Sequence, residues 1–341
     1  MKKIIASIMA IVTVATVFVG CDGSNSVDKE VVPFPVSVNN VTIEKAPKAV
    51  ASLSPVLTNI LTDLGYTSKI VGYSDGEVLP EIPPPPPVES EPEGFRWFWE
   101  KKAEPVSTEP EPELPKGEIG TALKPNFEKI GEYLPEIIFT TVPVTKAQME
   151  KLDAVKIKLI VIPAAKTIEE LKTNYLLIIK AMSGQLVADA RGATLVLEMQ
   201  KKIDYIASVV PEPKLTYLYV ASIDPMIATG DTYESSLIST VATNLAGEFN
   251  SYTLTAEQLA ELEPDIILYS FELNKENIVQ SEQFKTKKAV TEDRLIPIDK
   301  GLLLNQTQGA AESIREIAKL IYPSVDFSQP VPLTSSDQEK K

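Results

Sequence analysis

The sequence predicts an α/β protein of two lobes joined by one long, rigid α-helix. Three observations predict it. Short apolar runs alternate with amphipathic stretches along most of the 341 residues. Without its N-terminal leader the chain keeps roughly 320 residues, more than one ordinary core accommodates. A single pattern also occurs twice, once in each half: Glu128-Lys129-Ile130-Gly131-Glu132-Tyr133-Leu134-Pro135-Glu136-Ile137-Ile138 matches Glu257-Gln258-Leu259-Ala260-Glu261-Leu262-Glu263-Pro264-Asp265-Ile266-Ile267.

The first lobe occupies residues 34–166. Residues 49–54 read as a strand, and a helix follows from Pro55 to Leu64. Pro suits the first helical position and Gly65 the stop. Strands are expected at 69–73, 136–141 and 158–162, with helices at 127–132, ending at Leu134-Pro135, and at 145–152. Residues 167–212 form the connector, helical to about Val209, interrupted near Ser183-Gly184 and closed by Pro211. Its second segment, about 26 residues, would span roughly 39 Å and serve as a stiff strut; two ordinary lobe helices separated by a turn are the alternative. The second lobe, 213–325, repeats the theme. Strands are expected at 215–221, 266–269 and 295–298, a helix at 233–245 ended by Gly247, and an amphipathic helix at 310–321 stopped by Pro323. The polar residues 326–341 read as a disordered tail.

The leader, residues 1–21, has the form of a secretory signal: Lys2 and Lys3, an apolar stretch to Val19, then Gly20-Cys21. Its apolar stretch of about sixteen residues falls short of the roughly twenty that a membrane-spanning helix requires. Cys21 is the sole cysteine, so no internal disulfide forms. Phe18-Val19-Gly20-Cys21 resembles a lipobox, with Phe18 where leucine is usual. That resemblance implies acylation of Cys21 and anchorage to a membrane through buried methylenes, each worth about 0.8 kcal/mol. A leftover free thiol is the alternative. Residues 22–33 lack periodicity and read as a flexible tether.

Composition excludes several functions. A net charge of −14 repels nucleic acid and anionic membrane surfaces. There is no histidine, so mechanisms built on Ser-His-Asp or on histidine-held zinc are ruled out. One stretch breaks the α/β rhythm. Residues 80–116 hold 11 of the 27 prolines, including an unbroken run from Pro83 to Pro87, and nine glutamates. Such a segment is extended or disordered. It carries both tryptophans, in Phe95-Arg96-Trp97-Phe98-Trp99. This aromatic cluster could close over a ligand, touch a membrane or partner, or staple the insertion onto its lobe.

Each copy of the repeat is a short helix with a glutamate in its first turn, then proline, an acidic residue and a buried strand. A first-turn carboxylate complements the helix dipole by about 0.3–1 kcal/mol; two equivalent carboxylates on two similar lobes could also anchor a symmetric partner. Other runs carry a resemblance: Phe34-Pro35-Val36-Ser37-Val38, Ile43 through Pro47 to Ser54-Pro55, Val71-Gly72-Tyr73-Ser74-Asp75, Asn126-Phe127-Glu128, Asn244-Leu245-Ala246-Gly247-Glu248-Phe249-Asn250 and Pro264-Asp265-Ile266-Ile267. In order and spacing, from Phe34 to about Pro323, the chain resembles the periplasmic binding proteins for iron-siderophores, haem and cobalamin, with the proline-rich segment as an insertion.

The resemblance implies a substrate-binding lipoprotein of an ABC importer, monomeric, with a ligand cleft between lobes that close only slightly. It implies that Glu128 and Glu257 dock onto the two permease subunits. Candidate ligand contacts are Ser54, Pro55 and Tyr73 on the first lobe, and Met226, Tyr233, Tyr252, Leu302 and Asn305 on the second. Trp97 and Trp99 join them if the aromatic cluster forms a lid. No cofactor or protein-bound metal is expected. The missing histidines disfavour histidine-ligated haem, and only four arginines disfavour a highly anionic tris-catecholate. A corrinoid or a neutral ferric hydroxamate can rest on aromatic and apolar walls. A tetrapyrrole- or metal-chelate-handling enzyme, and a permease-independent storage lipoprotein, are the competing readings.

Overall fold

A computed structural model describes residues 33–77, 79, 116–222 and 226–328. The expected signal with Cys21, the expected tether up to Val32, and the cluster with Trp97 and Trp99 lie outside the described residues.

The described chain opens with a hairpin, β1 (Val36–Val38) and β2 (Val41–Ile43). Asn39 and Asn40 turn it, both at positive φ, the backbone such tight turns require. Next come β3 (Val50–Ser52), α1 (Pro55–Asp63), a single 3₁₀ turn, and β4 (Ile70–Tyr73). Gly65 supplies the positive φ of 82° that releases the chain from α1. Beyond the insertion lie β5 (Gly117–Glu118), α2 (Phe127–Tyr133), β6 (Ile137–Thr140), α3 (Lys146–Ala154) and β7 (Lys158–Val161). The first sheet is parallel throughout, in the order β5-β4-β3-β6-β7.

The connector consists of two helical runs. α4 (Ile168–Ser183) ends at Gly184, whose φ is 89°; a Cβ there would sit 2.5 Å from the Pro33 carbonyl oxygen. α5 (Gln185–Val187) then runs through a π-helical turn, Ala188–Gly192, into α6 (Ala193–Ser208). The second run starts against the first lobe, where Arg191 donates to the Leu64 carbonyl at 3.2 Å. It ends on the second lobe, packed along α12 (Ala310–Ile321). α4 touches both lobes, through α1 and β1 on one side and α7 (Tyr233–Ile238) on the other.

The second lobe is built from β8 (Thr216–Ser222), β9 (Met226–Ile227), α7, β10 (Thr243–Asn244), α8 (Ala256–Glu261), β11 (Ile266–Ser270), α9 (Lys275–Gln280), α10 (Lys288–Thr291), β12 (Leu295–Ile298), α11 (Lys300–Leu303) and α12. Its parallel path is β10-β8-β11-β12, with β9 antiparallel on β8. The helix expected over 233–245 stops at Ile238. Thr243 and Leu245 instead donate to the Leu215 and Tyr217 carbonyls as an edge strand, and the Asn244 amide bridges Ala228 and Ser235. Packing also runs past the expected boundary at 326, since Phe327 is 1% exposed.

Alternation along the strands divides the core. On β3 and β6, Val50, Ile137 and Phe139 face inward while Ala51 and Ile138 face α2 and α3. On β8 and β11, Tyr217, Tyr219, Ile266 and Leu268 face inward while Leu218, Val220 and Ile267 face outward. Burial on both faces explains why these strands read as unbroken apolar runs. The two inward faces belong to one continuous core, joined through Leu171, Tyr175, Ile178 and Ile179 of α4 and Met199, Ile203 and Ile206 of α6.

Polar contacts close the same junction. The Gln306 amide accepts from Ala165 N–H at 2.9 Å and donates to Ala165 C=O at 3.0 Å, with both residues buried. The Tyr175 hydroxyl donates to Asp63 of α1, and Gln308 N–H of the second lobe reaches the same pair.

Candidate functional site

Glu128 and Glu257 occupy the same place in their lobes. Asn126 and Thr255 cap α2 and α8, accepting from Lys129 N–H and Gln258 N–H. Each glutamate is therefore the second residue of its helix, and both are exposed. Thr255 and Gln258 complete a capping box. The Glu257 carboxyl lies below its ordinary value because its own N–H and the Thr255 hydroxyl bond to it. At the far end of α8 the buried Lys287 ammonium donates to the Leu262 carbonyl at 2.6 Å, which fixes that helix at both ends.

The repeated acidic residue after proline has a structural task. Glu136 accepts from Lys48 N–H at 3.0 Å, and Asp265 accepts from Thr216 N–H at 2.9 Å. Each carboxylate thus satisfies a backbone donor just at or before the neighbouring first strand, β3 or β8. The repeat joins helix, corner and strand pairing in the same way twice.

Helices that precede a strand in a parallel sheet start at the sheet's carboxyl edge, where open α/β folds bind ligands. At that edge of the second lobe, between β8, β11, α7 and α11, lies a cavity of about 270 Å³. Met226 and Tyr252 line it, together with Tyr219, Ala221, Glu234, Ser270, Glu272, Lys300 and Leu303. Tyr252 donates to the Glu234 carboxylate at 2.9 Å; burial, then the charge of Glu234, raises its hydroxyl. Burial, with Glu234 second, pushes the Tyr219 hydroxyl up to about 12. Met226, which lines it, and Phe271 and Leu304, each next in sequence to a lining residue, are 45%, 59% and 50% exposed.

The remaining expected contacts are dispersed. Tyr233 is buried and donates to the Asn305 carbonyl. The Asn305 side chain donates to Ser313 and accepts from Thr307, and Leu302 packs against the shared core. On the first lobe Ser54 is buried ahead of α1, Pro55 is exposed, and Tyr73 is half-buried at the end of β4. Near them Glu77 accepts from Ser74 N–H and the Thr58 hydroxyl, while burial raises its carboxyl. Glu234, Glu272, Lys300 and Tyr219 were not identified as contacts from the sequence. Glu234 stands in a helical first turn like Glu128 and Glu257, and only the fold separates the cavity residue from the two surface ones. Among the described residues, no group of three or more Asp, Glu or Cys is placed to hold a metal ion, and no helix is long and apolar enough to cross a membrane.

The described residues thus form two parallel α/β lobes on a shared helical core, with a cavity at the carboxyl edge of the second. No family model matches the sequence. Across 95% of this chain and 98% of the relative, it is 22% identical to YvrC of Bacillus subtilis strain 168, described as an uncharacterized ABC transporter substrate-binding lipoprotein. Among solved structures it is similar to the periplasmic haem-binding protein HutB of Vibrio cholerae, with a TM-score of 0.61 and 16% identity over 81% of this chain and 99% of that one. A possible iron-binding solute-binding protein of Staphylococcus epidermidis gives 0.60 and 19%, over 82% and 100%. The vitamin B12-binding protein BtuF of Vibrio cholerae gives 0.52 and 17%, over 81% and 96%. The chain has the fold of these periplasmic binding proteins, and its similarity to a substrate-binding lipoprotein runs nearly its whole length.

Proposed function

We propose that this protein is the substrate-binding component of an ABC importer, capturing a corrinoid or ferric siderophore between its lobes and handing it to a permease. Acylated Cys21 holds it outside the cytoplasmic membrane, and Glu128 and Glu257 dock onto the two permease subunits. The observation that carries this reading is the equivalence of the two glutamates: same helical position, same neighbouring strand pairing, both exposed. Ordinary dipole compensation asks for a carboxylate in each first turn but does not ask for matched exposure on two lobes. Met226 and Tyr252 of the second lobe, with Ser54, Pro55 and Tyr73 of the first, are the proposed ligand contacts.

The test is uptake by the protein reconstituted with its permease in proteoliposomes. The double variant Glu128→Ala, Glu257→Ala is expected to bind ligand as the parent does and to lose most uptake, with each single variant intermediate. Undiminished uptake by the double variant refutes the docking assignment. Turnover of the bound ligand by the purified protein refutes transport in favour of enzymatic handling.

A further inference from the structure

The second-lobe cavity has a charge and a size that narrow the ligand class. Two carboxylates, Glu234 and Glu272, face it with one ammonium, Lys300. Among the described residues neither carboxylate forms an ion pair. Glu234 is held in place by the Tyr252 hydroxyl at 2.9 Å, so it is positioned before any ligand arrives. Ser270, 3% exposed, also lines the cavity, its hydroxyl interacting with that of Tyr219. Tyr219 and Tyr252 add two aromatic rings, and ring faces attract cations.

Volume sets the second limit. About 270 Å³ falls below the roughly 300–1,000 Å³ of pockets that enclose a drug-sized ligand, too little for a whole corrinoid or ferric chelate. It suits one arm of such a molecule. Resting on the function proposed above, we infer that this cavity receives a positively charged arm of the ligand, an ammonium on a short chain, with Glu234 and Glu272 as the residues that select it. The bulk of the ligand then lies outside, over Met226, Phe271 and Leu304.

The experiment is calorimetric titration of the full mature chain with four probes. Two share one chelate: ferrioxamine B, a linear ferric trihydroxamate ending in a free amine, and its N-acetylated form, which lacks the charge. Cyanocobalamin and a ferric tris-catecholate complete the set. The amine form is expected to bind about 10-fold more tightly than the acetylated form, the scale of one charge-assisted hydrogen bond. The variant Glu234→Gln, Glu272→Gln should reduce that preference to under about 2-fold, and Lys300→Gln should widen it. Thermal melting verifies that each variant is folded, and Lys300→Gln, which removes no carboxylate, remains informative if the double variant is not. Equal affinity for the two chelate forms, an undiminished preference in the double variant, or binding of cyanocobalamin alone overturns the inference and leaves the importer reading standing. No binding of any probe overturns both.

Discussion

The junction between the lobes depends on one side chain whose worth can be worked out in advance. Gln306 satisfies both backbone groups of Ala165, across 2.9 and 3.0 Å, in a buried setting. Gln306→Ala leaves an N–H and a C=O without partners at a place where β7 hands over to α4. Each orphaned group costs about 1–3 kcal/mol, and a water admitted to the vacated space returns part of this, so the net loss is about 2–4 kcal/mol. For a chain this long, each kcal/mol lowers the melting temperature by about 2 °C, giving a drop of about 4–8 °C. Differential scanning calorimetry on the purified protein measures it. Gln308→Ala is the control, because Gln308 bridges to Tyr175 and Asp63 through its backbone N–H, which the substitution keeps. A drop below about 1 °C for Gln306→Ala, or an equal drop for Gln308→Ala, would refute the assignment of Gln306 as the polar lock between the lobes.

Two further substitutions test the fold at other points. A Cβ on Gly230 would lie 1.9 Å from the Gly247 carbonyl oxygen, so Gly230→Ala must displace backbone and should cost about 2 kcal/mol or more. Gly131→Ala in α2 meets nothing within 4 Å and should stabilise by about 0.5–1 kcal/mol; guanidinium unfolding distinguishes the two. Thr216 N–H and its hydroxyl hold the Asp265 carboxyl below the ordinary 3.8. Its ionised form therefore stabilises the fold above that value, and the contribution fades as pH falls through the lowered folded value. Asp265→Asn should cost about 1 kcal/mol at neutral pH, with the gap to the parent closing in acid; a gap that is constant with pH would count against this.

Much of the architecture was legible because its signals are local. Pro55 and Gly65 bracket α1, Leu134-Pro135 ends α2, and two-sided burial makes β6 and β11 continuous apolar runs. The repeat was visible since the same corner demands the same residues twice. Other elements were hidden by length. β1 and β2 have three residues each, too few for alternation to register, although Asn39-Asn40 carried the turn signal. The helix over 233–245 was overextended because Leu237 to Val241 is as apolar as a helix face; what ends it is the edge pairing of Thr243 with Leu215, a long-range contact. The cavity was less legible. Met226 was named through the family resemblance and Tyr252 by its place near a loop of the second lobe, but Glu272, in a short connection, and Lys300, at the start of α11, have positions that only the assembled sheet determines.

The continuous core has a consequence for the history and engineering of the molecule. Matching strand orders and the doubled helix-corner-strand motif point to a duplicated unit, yet neither half now has a complete interior. Cut near Pro211, the first half would present Met199, Ile203 and Ile206 to water, and the second would bare the inner side of α12, with Ile314, Ile317 and Ile321. Each fragment should aggregate unless supplied with the other. The two lobes form a single cooperative body, and exchanging a lobe with that of a relative would succeed only if α4 and α6 travel with it.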